Sequence, residues 1–157
     1  MSEHAPEVSA PPDARLDCRV DEGFAAWLAG ANGTVVVTSY QAGKAVLFGW
    51  DGHRVTVLPR SFDKPMGLAV DGPRLLLATR HEVVLFADAP GLARDFAPDD
   101  PGRYDALYLP RARYLTGDLG VHDVAVGADG PWVAATRFSC LARLSHADSF
   151  VPAWHPP

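Results

Sequence analysis

MGLAVDGPRLLLATR, residues 66–80, returns further along the chain as HDVAVGADGPWVAATR, residues 122–137. Both copies run through an apolar stretch, an Asp-Gly pair, a second apolar run and the triplet Ala-Thr-Arg. Two short apolar runs joined by a residue pair that tolerates positive φ are the mark of a β-hairpin. A third Asp-Gly pair, Asp51-Gly52, sits between two further apolar runs. Working outward from these hairpins, nine runs read as strands: TVVVTS, KAVLFGW, RVTVLP, GLAVD, RLLLAT, EVVLFA, VHDVAV, WVAAT and CLARL. Each is rich in Val, Leu, Ala, Phe or Trp and bounded by Gly, Pro or Asp, which is the texture of closely spaced strands and turns.

Thr38, Thr79 and Thr136 each close a second strand of the pattern. They are spaced by about 41 and about 57 residues, bracketing the roughly 40–50 residues of a four-stranded propeller blade. The longer interval holds a Pro- and Asp-rich stretch, 87–115, read as an insertion projecting from the sheets; long loops of this composition carry function more often than they carry structure. The fold expected is all-β: an incomplete β-propeller of about three blades of antiparallel strands with one short N-terminal helix. That helix is read from VDEGFAAWLAGANG, with Asp21 as N-cap, Glu22 in the first turn, Phe24, Trp27 and Leu28 as the apolar set and Gly30 as the stop. Residues 1–15, rich in Pro, Ala, Ser and Glu, read as a disordered leader, and 16–157 as the partial propeller domain.

With 157 residues, 48% of them hydrophobic, the chain has enough apolar material for one packed domain. A net charge of −5 without a block of Lys and Arg argues against nucleic acid as a partner. No apolar run approaches the roughly 20 residues that span a bilayer, so no membrane partner is expected and a cytoplasmic location is. Cys18 and Cys140 are too few and too far apart for a disulfide framework or a zinc knuckle. Neither a cofactor nor a catalytic set is expected from the residues.

Six ordered motifs, TSYQAGKAVLFG, SFDKPMGLAVDG, LATRHEVVLF, YLTGDLGVHDVAV, TRFSCLARL and SFVPAWHPP, resemble a bacterial family of conserved hypothetical proteins of unknown function. The resemblance implies a β-propeller distantly similar to the gluconolactonase and strictosidine-synthase group. It also implies a full length about twice this one, so the chain looks like an N-terminal half. A half ring of blades leaves strand edges open, and the partner expected is a second copy of this chain or a chain supplying the missing blades.

Five residues are candidates for ligand binding. His122 and Asp123 enter a blade's first strand where the preceding copy has Met66 and Gly67, so the repeat itself does not demand polar residues there. Arg80 and Arg137, at the ends of the two Ala-Thr-Arg triplets, present guanidinium forks suited to a small anionic ligand. Asp63, in SFDKPMG, is a candidate to join His122 and Asp123 in binding a hard cation. The competing reading makes the arginines inter-blade ion pairs, to Asp63, Asp105 or Asp118, and makes His122 and Asp123 partners of backbone groups.

Cys140 reads as a small core residue, and Trp50, Trp132 and Trp154 as packing. SYQAGKA fails the phosphate-loop pattern because Thr38 stands at the first Gly and Ala45 follows Lys44. The leading functional expectation is a non-catalytic ligand-binding or protein-interaction module. The alternatives are a metal-dependent hydrolase of lactonase-like kind, which would need a divalent ion, and a truncated product without independent function.

Overall fold

The computed structural model describes residues 18–157; the leader expected at 1–15 lies outside the described residues. Helix α1, Glu22–Ala31, begins as read. Asp21 is extended, and its carboxylate accepts the Phe24 N–H at 2.7 Å, satisfying one of the donors that a helix start leaves open. The stop differs: the helix runs through Gly30 and ends on Asn32, left-handed at φ 49°, a conformation Asn tolerates better than most residues. Leu28 is fully buried and Phe24 meets Phe48 edge-on at 5.9 Å. Trp27, expected on the same apolar face, is 57% exposed.

From Val35 to Trp154 the chain lays down three antiparallel meanders in succession. The first sheet is β1 (Val35–Ser39), β2 (Lys44–Trp50) and β3 (Val55–Ser61). The second is β4 (Leu68–Asp71), β5 (Arg74–Ala78), β6 (Glu82–Asp88) and β7 (Tyr108–Leu115). The third is β8 (Val121–Gly127), β9 (Gly130–Ala135), β10 (Cys140–Arg143) and β11 (Val151–Trp154). All three Asp-Gly pairs fall at hairpin turns. Asp51 folds its carboxylate back onto the N–H groups of His53 and Arg54, both at 2.9 Å, while Gly52, Gly72 and Gly130 supply the positive φ.

Two strands exceed the nine read from the sequence. β7 lies within the stretch read as an insertion, 87–115, so the segment between strands is 89–107, carrying the one-turn helix α2, Pro90–Ala93. β7 contains Pro110, Arg111 and Arg113, and β11 contains Pro152. Pro cannot donate to a ladder and Arg is not a strand former, but both are accommodated on the outer edge of a sheet, and that is where both strands lie. Their ladders are also irregular, at Leu85/Phe86 and Leu141/Ala142. Trp154, expected to pack, is 53% exposed.

Alternation along β5 ties the sheets together. Leu76 and Ala78 join a core with Val121, Val124, Val133, Ala135, Cys140 and Leu144 of the third sheet. Leu75 and Leu77 point the other way, toward Ala45 and Val36 of the first sheet. This is the period-2 rule of a strand buried on both faces. The second and third sheets meet closely: a Cβ on Gly67 would stand 2.7 Å from the Asp123 Cα, so the two backbones touch only because residue 67 has no side chain.

Candidate functional site

Arg80 and Arg137 do converge, and what they converge on is Asp118. Its Oδ2 lies 3.6 Å from Arg80 Nε and 3.0 Å from Arg137 NH2. The turns explain the meeting. Arg80 follows Thr79 in the β5–β6 turn, and Arg137 sits in the short 3-10 turn Thr136–Phe138 between β9 and β10. Asp118 stands on the segment entering β8, held by the Thr136 and Arg137 N–H groups bonding to Gly120 and Leu119 at 3.1 Å each. The two forks thus hold a carboxylate of the chain itself, and the partner is one of the three acids the sequence offered.

Asp63 is tied to this group through its backbone, its carbonyl accepting the Arg80 N–H at 2.9 Å. Its carboxylate faces His81 Nε2 at 4.0 Å, with both side chains more than half exposed. Asp123 turns its carboxylate onto the Val124 N–H at 2.9 Å. His122 is the extra residue of a bulge: the β8–β9 ladder steps from Val121↔Ala135 to Asp123↔Ala134 and leaves it unpaired and exposed. Cys140 is a free, buried thiol within the core of the third sheet. Residues 40–43 form a tight turn and Lys44 Nζ donates to Ser61 Oγ at 2.7 Å. No group of three or more His, Cys, Asp or Glu able to hold a metal ion occurs among the described residues.

A concavity lies elsewhere, between the first and second sheets. On one wall the register aligns Val36, Leu47 and Leu58 across β1, β2 and β3, with Ala45 beside Arg60 in the next row. The opposite wall is Leu68, Leu75, Leu77 and Phe86, and Phe62 meets Phe86 edge-on at 6.2 Å. The segment 89–107 adds Phe96 and Tyr104 to the lining, themselves edge-on at 5.9 Å. That segment is held at its base: the Leu107 carbonyl accepts the Ala89 N–H, and the Asp88 carboxylate accepts the Leu107 N–H, both at 2.9 Å. The slot, partly open to solvent, measures about 280 Å3, close to the ~300 Å3 at which small-molecule sites begin.

Arg60 is the one charged residue of that lining. Among the described residues its guanidinium makes no ion pair, and its hydrogen bond goes to the neighbouring Pro59 carbonyl at 3.0 Å. The sequence reading missed this site. The signal was the alternation Leu58, Arg60, Phe62, which sets a cation on an otherwise apolar strand face.

A family model described as Domain of unknown function (DUF4915) matches residues 22–157. No curated protein and no solved structure matches the chain. No helix among the described residues is long and apolar enough to cross a membrane.

Proposed function

The chain belongs to the family described as a domain of unknown function (DUF4915), and from that premise we propose that it is a non-catalytic ligand-binding module whose ligand is a small apolar acid. The three meanders are read as successive blades of an incomplete β-propeller. That reading is supported by their common strand order, by the adjacency of β4 and β8, and by the recurrence of Ala-Thr-Arg at the same hairpin of two sheets.

The observation that carries the ligand class is the slot with Arg60 in its wall. A dry apolar cavity of about 150 Å3 already holds benzene, so the slot accepts a body larger than one benzene ring. A guanidinium in that wall without an acidic partner from the described chain favours a ligand that brings its own carboxylate. The Arg80–Arg137 pair, by contrast, has Asp118 in place of an external anion.

Calorimetric titration with octanoate and, separately, with 1-octanol tests both halves of the reading. Saturable one-to-one binding of octanoate is expected, with octanol weaker. Arg60→Leu is expected to weaken octanoate about tenfold, the scale of one partly solvated charge-assisted hydrogen bond, and to leave octanol unchanged. No saturable binding of either probe, or equal octanoate affinity in Arg60→Leu, overturns the assignment.

A further inference from the structure

Among the described residues the first sheet has three strands and the other two have four, and the hairpin turns show which position is unfilled. Thr79 follows β5 and Thr136 follows β9, each at the turn into the next strand. Thr38 closes β1 at the turn into β2. β1 therefore stands where β5 and β9 stand, and the strand missing from the first sheet is the counterpart of β4 and β8. The three threonine hydroxyls are tied in three different ways, Thr79 Oγ1 donating to the Glu82 carbonyl of its own turn. Thr136 Oγ1 donates to Gly120 on the segment that leads into β8 of its own sheet. Thr38 Oγ1 reaches across to the Met66 carbonyl ahead of β4, at 2.7 Å.

Among the described residues, the outer side of β1 is a ladder edge without a partner strand. Its residues pair with β2, and no other backbone hydrogen bond leaves Val35–Ser39 among the described residues. Every other sheet edge carries a feature that discourages pairing. β3 has Pro59 and Arg60, β7 has Pro110, Arg111 and Arg113, and β11 has Pro152. β8 is bulged at His122, and β4 is four residues long, ends in Asp71 and has Gly67 at its entry pressed on Asp123. β1 is Val-Val-Val-Thr-Ser, with no charge, no proline and a regular register.

We propose that β1 pairs antiparallel with β1 of a second copy of this chain, joining two three-stranded sheets into one of six strands. The occupant is self-complementary: a two-fold axis near Val37 sets valine against valine at the centre, and a two-fold contact uses the same patch on both partners. The polarity is right, because β4 and β8 also run antiparallel to the strands they cover. Val36 lines the slot, so Val37 faces the other way, and it is 48% exposed. Apolar area of that kind on a bare edge is what strand addition covers.

Sedimentation of the full chain from micromolar to submillimolar concentration tests the contact, using wild type, Val37→Lys, Val37→Asp and an equimolar mixture of the two variants. Wild type is expected to dimerise, each variant alone to be monomeric with at least tenfold weaker association, and the mixture to recover dimers containing one of each. Opposite charges directly across a ladder attract and like charges repel. Recovery in the mixture also separates lost pairing from lost folding, since unfolded chains do not restore a specific heterodimer. A wild-type monomer throughout the range overturns the proposal. So does a dimer equally strong in Val37→Lys, because the contact then lies on another surface.

Discussion

The two spaces between sheets are built from the same kinds of residue and end up different. Between the second and third sheets, eleven buried residues form one cluster, and the backbones of Gly67 and Asp123 are in contact. Between the first and second, the buried cluster among the described residues is the small set Ala45, Leu75 and Leu77, and a slot of about 280 Å3 remains. The difference follows the strand count. β8 packs against β4 and β5, whereas among the described residues the first sheet has no counterpart of β8 to lay against its neighbour. One space is therefore packed core, and the other is the slot in which the proposed ligand would sit.

Adjacent residues of β5 test this most severely, because Leu76 faces the dense side and Leu75 the slot. Leu76 is 0% exposed and Leu75 8%. Leu76→Ala is expected to cost about 3–5 kcal/mol and Leu75→Ala about 2–3, the smaller loss reflecting the fewer contacts beside an existing void. Urea denaturation of both variants measures the gap, and equal losses would erase the contrast between the two sides.

A smaller effect is expected at the backbone contact. Gly67→Ala places a methyl 2.7 Å from the Asp123 Cα, and relieving it requires the sheets to part, at about 1–3 kcal/mol. Thermal melts should show the loss, whereas Gly91→Ala, with nothing near its added Cβ, serves as the neutral control. Across the slot, Arg60→Leu should change stability by no more than about 0.5 kcal/mol, as an exposed side chain without an ion pair. Its effect belongs to ligand affinity.

The smallest effect concerns the turns. The Arg143 side chain first, and then the Trp132 indole N–H, hold the Asp129 carboxyl below the ordinary aspartate value of 3.8. Asp51 is held below it by the backbone N–H groups of Arg54 and His53. A carboxyl with a lowered folded pKa stabilises above its unfolded pKa and loses that contribution as pH falls through the folded value. Stability should therefore slope downward below pH 3.8, and Asp129→Asn should flatten that slope slightly. An unchanged slope would mean that the β8–β9 turn ion pair contributes nothing.

The sequence revealed what is local. Asp21 capping a helix, the Asp-Gly turns and the period-2 runs are each decided within a few residues, and α1 and the nine apolar strands follow from them. β7 and β11 were obscured by Pro110, Arg111, Arg113 and Pro152, because edge strands are selected to look unlike strands. The pairing of Arg80 with Arg137 was legible from the repeat, and Asp118 between them was one of three acids to choose among. His122 stood out as polar where the earlier copy has Met66, but the bulge that exposes it depends on the register with β9. The slot was invisible because it arises where faces of two sheets meet across long separations. Leu58, Arg60 and Phe62 gave only the hint that one strand face carried a misplaced charge.

Methyl-resolved NMR during titration with octanoate compares the two spaces in a single sample. Shifts are expected at the methyl groups of Val36, Leu47, Leu58, Leu75 and Leu77, saturating together, with Leu76, Val121, Val124 and Val133 unmoved. Shifts spread equally over both sets, or confined to the second set, contradict a ligand seated between the first and second sheets.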